Sequence, residues 1–88
     1  MNIYLVKRTD EVSYDEFDSF VCVAESEDMA RNMKPVLWGN PRKFEKVKWE
    51  EERTTWARGI KDVTVHYLGK ATQLKREPQI VCASFNAG

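Results

Sequence analysis

The stretch Phe17 to Ala24 constrains the fold most, because as an extended chain it is apolar on both sides. Phe17, Val21 and Val23 would share one face and Phe20, Cys22 and Ala24 the other. A strand apolar on both faces belongs in the interior of a sheet, with neighbours on either side. The flanking chain supplies candidates. Asn2 to Arg8 alternates and is rich in Ile, Tyr, Leu and Val. The polar run from Thr9 to Glu16 has the length of a hairpin connection. Asp62 to Leu68 alternates clearly, with Val63, Val65 and Tyr67 opposite Thr64, His66 and Leu68. Gln79 to Phe85 reads as a last strand.

One helix is expected. Ser26 suits an N-cap, Glu27 and Asp28 favour the positive end of the helix dipole, and Met29, Ala30 and Met33 recur at helical spacing. Lys34 precedes Pro35, so the helix should stop near Met33. Pro35 to Pro41, with Gly39, reads as an ordered loop holding Trp38 as an aromatic anchor. Arg42 to Arg58 fits neither the helical nor the strand period and is expected to be irregular or an edge hairpin, with Glu50 to Glu52 at a turn or on a solvated helix. The expected fold is α+β: a small antiparallel sheet of about four strands with one short helix packed on one face.

A chain of 88 residues makes one domain and one core, so residues 1 to 88 are read as a single unit. No apolar run approaches the roughly 20 residues that span a bilayer, and the start lacks the pattern of a signal peptide, so a cytoplasmic location is expected. Cys22 and Cys82 lie inside apolar runs, which suits buried reduced thiols better than a disulfide framework. The net charge is zero, but residues 1 to 34 hold eight acids and four bases, and residues 35 to 76 hold five acids and ten bases. Such asymmetry marks either an acidic and a basic face or, as expected for a compact fold, two segments that interleave and cancel.

Several residues at this point resemble a known set. Tyr4-Leu5-Val6 with Arg8-Thr9-Asp10, then Tyr14-Asp15-Glu16, Asp18 and Phe20, then Ser26-Glu27 with Ala30-Arg31, and the ending Ala83-Ser84-Phe85-Asn86-Ala87-Gly88 look like a family of small bacteriophage and prophage proteins of uncharacterised activity. The resemblance covers the first third of the chain and the ends of the last third. It implies a phage-encoded accessory protein of the host cytoplasm and brings no catalytic residue with it.

The residues themselves leave several chemistries to weigh. Asp10, Glu11, Asp15, Glu16 and Asp18 place five carboxylates in nine positions beside Arg8 and Tyr14, which suits a basic partner or a cation. A solvated hairpin loop gives the same pattern, and the spacing of a calcium loop is absent, so no metal is expected. Arg42, Lys43, Lys46, Lys48, Arg53, Arg58 and Lys61, interleaved with Phe44, Trp49 and Trp56, hold the elements of a single-strand groove, but Glu45 and Glu50 to Glu52 run through the same stretch. Trp38, Trp49 and Trp56 belong to the residue type most enriched at binding hot spots, and three exceed what one modest core easily buries. His66, the only histidine, is expected to be half-buried and structural. No phosphate loop, nucleophile elbow or zinc knuckle is present, so neither enzymatic activity nor a cofactor is expected.

The leading expectation is a non-enzymatic phage accessory protein that binds a host protein, such as a defence component, with Arg8, Asp10, Tyr14, Asp15, Trp38, Trp49 and Trp56 as candidate binding residues. A homo-oligomeric module that sequesters a small molecule or nucleotide around Arg8, Tyr14 and a tryptophan is the second reading, and a weak single-strand binder the third.

Overall fold

A computed structural model describes residues 1–50, 55–72 and 77–87. It is built on a four-stranded antiparallel sheet in the order β5-β1-β2-β6, with β1 at Asn2–Arg8, β2 at Glu16–Ala24, β5 at Val63–Lys70 and β6 at Gln79–Asn86. A short helix α1, Glu27–Arg31, follows β2. A two-stranded hairpin joins β3, Met33–Pro35, to β4, Phe44–Lys46. A 3-10 turn at Ile60–Asp62 leads into β5.

β2 lies inside the sheet, as its two apolar faces require, and Phe20, Cys22, Val23 and Ala24 are all buried. Its faces are divided differently from strict alternation. The β2–β6 register shifts between Phe17 and Ser19, so Phe17 joins Phe20, Cys22 and Ala24 in the core. An extra residue at a bulge changes which side the following residues face, and this bulge brings Phe17 into an edge-to-face contact with Phe85, ring centres 4.9 Å apart.

The core takes Tyr4 and Val6 from β1, Val63 from β5 and Ile80 from β6. Ala30 of α1, Met33 of β3, and Val47, Trp56 and Ala57 from the connections complete it. Trp56 is fully enclosed and leans on Phe20, ring centres 5.0 Å apart. The Thr55 carbonyl accepts from Phe17 N–H at 2.8 Å, which holds this segment against β2.

The helix is shorter than its spacing predicts. Ser26 caps it as expected, with Oγ accepting from Met29 N–H at 3.1 Å, and Arg31 pairs with Glu27 one turn back. It stops at Asn32, and Met33, expected to be its last residue, is the first of β3. Asn32 explains the early stop. Its N–H bonds back to the last helical carbonyls, and its side-chain amide donates to the Asp28 carbonyl at 2.9 Å. Its carbonyl accepts from Val47 N–H at 2.7 Å, and its Oδ1 accepts from Trp49 Nε1 at 2.8 Å. One asparagine therefore closes the helix, begins the hairpin and fixes a tryptophan. Asparagine competes well for such roles because its side chain both donates and accepts.

The segment expected to be irregular or an edge hairpin holds β4, which pairs antiparallel with β3. The part of the acidic run at Glu51 and Glu52, and the basic candidate Arg53, lie outside the described residues. Two further expectations are corrected. His66 is exposed, because β5 is an edge strand and His66 lies on the side away from Val63 and Val65. Cys82 is also exposed, on the opposite edge strand, whereas Cys22 is buried as expected.

This difference between the thiols is testable. Burial pushes the Cys22 thiol up to about 12, so it holds almost no thiolate at neutral pH. A thiol reagent added to the native protein should modify Cys82 at once and Cys22 only on unfolding. Two rapidly reacting thiols in the folded protein would contradict the packing of β2.

Candidate functional site

The sequence candidates separate into three groups. The first surrounds Arg8, whose side chain is fully enclosed. A guanidinium has five N–H donors, and here all five have acceptors. Nε donates to Asp10 Oδ1 at 2.6 Å, and one terminal nitrogen to Glu16 Oε1 at 3.0 Å and the Phe17 carbonyl at 3.2 Å. The other donates to Asp10 Oδ2 and to the Glu11 carbonyl, each at 3.0 Å. Asp10 Oδ2 also accepts from Arg58 N–H at 3.2 Å.

Arg8 therefore ties β1 to the start of β2, to the connection between them and to the segment before β5. Burial alone would lower the guanidinium's pKa, and the bonds and charges of Asp10 and Glu16 reverse that and raise it. For Asp10, burial works against the charged form, but Arg8 and the Arg58 N–H outweigh it and hold the carboxyl below its ordinary range. With no donor left over, Arg8 has nothing to offer a ligand. The candidate pair Arg8 and Asp10 supports the fold.

The second group is the tip of the β1–β2 connection. Tyr14 is exposed, and Asp15 has a φ of 61°, the left-handed region that aspartate tolerates better than most residues. Asp15 N–H donates to the Asn86 carbonyl at 2.6 Å, and the Asn86 amide donates to the Ser13 carbonyl at 3.2 Å. The acidic loop is thus pinned to the end of β6 and to Arg8. Among the described residues no group of three or more His, Cys, Asp or Glu is arranged to hold a metal ion.

The third group is the tryptophans, which the fold sends to three environments. Trp56 is in the core. Trp49 is half-buried with its Nε1 bonded to Asn32. Trp38 is 83% exposed. It was expected to anchor its loop, but the loop projects it outward: β3 ends at Pro35, and Gly39, directly after Trp38, has a φ of 99° that other residues adopt only with strain.

Leu37, exposed beside it, extends the apolar surface. Between this loop and β6 is an open hollow of about 460 Å³, walled by Pro35, Val36, Leu37 and Trp38 on one side and Val81, Ala83 and Phe85 on the other, with Phe17 also lining it. The same loop borders a second hollow of about 500 Å³ reaching Lys34, Glu45 and Thr55. Trp38 therefore stands between two depressions. Leu37, Val81 and Phe85 were not singled out from the sequence. Reading them would have required knowing that β6 is an edge strand and that the loop after β3 folds beside it.

No family model, curated protein or solved structure matches this chain. Among the described residues no helix is long and apolar enough to cross a membrane.

Proposed function

We propose that this chain is a non-enzymatic phage accessory protein that works in the host cytoplasm by binding a host protein through the Trp38 surface. One observation carries the reading: an 83% exposed tryptophan on a short proline- and glycine-framed loop, next to exposed Leu37 and an apolar hollow. Leaving a large ring in water forgoes the stabilisation that burial gives, roughly 1.5–3 kcal/mol for a large apolar side chain, and a protein partner restores it. The phage resemblance of the two ends of the chain supports the cellular setting. A host defence component is one class of partner that fits it.

The other readings have less to stand on. A pocket around Arg8 for a small anion lacks its cation, because all five Arg8 donors are used internally. Stacking bases along the basic stretch needs exposed rings, but Trp56 is enclosed and Trp49 is half-buried.

The test is capture from host lysate at near-physiological salt with wild type and Trp38→Ala side by side. The wild type should retain a stoichiometric protein, and the variant should lose at least about tenfold in affinity, the scale of a hot-spot tryptophan. Folding should be unchanged, since the ring supports nothing in the core. No stoichiometric partner, or equal capture by both proteins, would rule the reading out.

A further inference from the structure

The two edges of the main sheet are built differently. β5 has features that keep a sheet edge from pairing with another chain, Lys70 on the strand and Gly69 at a φ of 154°, whereas an irregular register with the inner neighbour is common to both edges. β6 reads Gln79-Ile80-Val81-Cys82-Ala83-Ser84-Phe85-Asn86, with no charged residue and no proline. Val81 to Phe85 are all exposed. A run of this kind on an open edge invites another strand.

The backbone directions show which part is available. Asn86 directs its carbonyl to Asp15 on the β2 side. Backbone groups alternate along a strand, so Ser84 also faces β2, and Ala83 and Phe85 face outward. At the other end, Ile80 N–H is already taken by the Arg42 carbonyl at 2.9 Å. The open edge therefore runs from Cys82 to Asn86.

We infer that this edge pairs with the same edge of a second copy, antiparallel about a two-fold axis at Ser84, giving one continuous eight-stranded sheet. Charge is the reason for choosing a second copy as the occupant. A two-fold axis places each residue near it against its own duplicate, so any charge there would face a like charge. The Cys82–Asn86 stretch has none, whereas β5 would bring Lys70 into its own interface. In this register Ala83 of each copy lies opposite Phe85 of the other, and their outward N–H and C=O groups bond. The Arg42 strap at Ile80 falls outside the paired stretch. The two Trp38 surfaces then belong to one assembly, so that a partner with two matching epitopes gains avidity. The inference does not depend on the host-protein reading, since it concerns the purified chain alone.

Light scattering across a dilution series should give twice the 10.3 kDa chain mass at high concentration. Ser84→Lys, which puts like charges at the axis, and Ala83→Pro, which removes an outward donor without breaking a β2 bond, should each give a monomer with an unchanged near-ultraviolet spectrum. Ser84 pairs with itself at a narrow, non-hydrogen-bonded position, where Cα atoms lie about 4.5 Å apart and a disulfide can close. A Cys82→Ser/Ser84→Cys double variant should thus be trapped as a covalent dimer by mild oxidation, and Cys82→Ser alone should not. A wild type that stays monomeric, a dimer that survives either edge substitution, or a double variant that fails to cross-link would overturn the inference. Loss of host-protein capture by Trp38→Ala with the dimer intact leaves it standing.

Discussion

Arg8→Met should lower stability by about 3–5 kcal/mol, the usual cost of removing one partner from a buried ionic cluster. A domain of this length has roughly 4–13 kcal/mol in total, so the variant should be partly or wholly unfolded at physiological temperature. The loss is large because Arg8 has no solvent-exposed side-chain surface, and Asp10 and Glu16 keep only about 14 and 15% of theirs. Removing the cation leaves two largely buried carboxylates without their shared partner. An Arg8→Met/Asp10→Asn/Glu16→Gln triple variant should recover part of the loss, because no uncompensated charge remains. Urea titration of the set measures both effects. A single variant within about 0.5 kcal/mol of wild type, the range of an ordinary surface change, would mean that the cluster does not hold the fold.

Asp10 in the same cluster also makes stability depend on pH. Asp10 titrates below its ordinary range in the folded chain, so the unfolded chain binds its proton first as the pH falls. Its contribution is complete at neutral pH, declines once the pH enters the ordinary aspartate range, and is gone below the depressed folded value. Asp10→Asn should be less stable than wild type at neutral pH and should lose less on further acidification. Parallel acid limbs for the two proteins would contradict the assignment.

Trp56→Ala should cost a similar 3–5 kcal/mol, since it removes the largest fully buried side chain and leaves a cavity against Phe20. Trp56→Phe should cost less, because part of the ring contact survives. With a transition this small in enthalpy, each kcal/mol moves Tm by about 4–8 °C, so the alanine variant should melt well below wild type. Trp38→Ala is the control: the same residue type at 83% exposure should leave Tm nearly unchanged. If both tryptophan variants melted alike, the division between a structural and a surface tryptophan would be wrong.

The sheet was legible where residue type and period agreed. β1 and β5 follow from alternating apolar residues, β6 from the apolar run Ile80 to Ala83, and β2 from its two apolar faces. What was not legible depended on single residues whose effect is tertiary. The bulge near Asp18 moves Phe17 to the core side, and nothing in the local pattern marks it. Asn32 ends the helix early through bonds to Trp49 and Val47, 17 and 15 positions along the chain. β4 is a three-residue strand whose partner, β3, was hidden in what read as the end of a helix.

The candidate site was legible as a composition and not as a place. Three tryptophans announced an excess of apolar rings, but which ring faces water depends on the loop around Gly39. Arg8 beside five acids resembles a binding cluster in one dimension. In three it is a closed set of hydrogen bonds. Cys82 reads as buried because it lies inside an apolar run, and His66 as half-buried because alternation assigns it to a face; neither pattern shows that the strand is at an edge.

A photoreactive amino acid placed at residue 38, in protein expressed in the host, reports what the Trp38 surface touches when compared with the same group at Arg58, an exposed position outside the apolar loop. One dominant cross-link to a host protein should form from position 38 and none to that protein from position 58. No host protein cross-linked at 38, or the same protein captured equally from both positions, would contradict it.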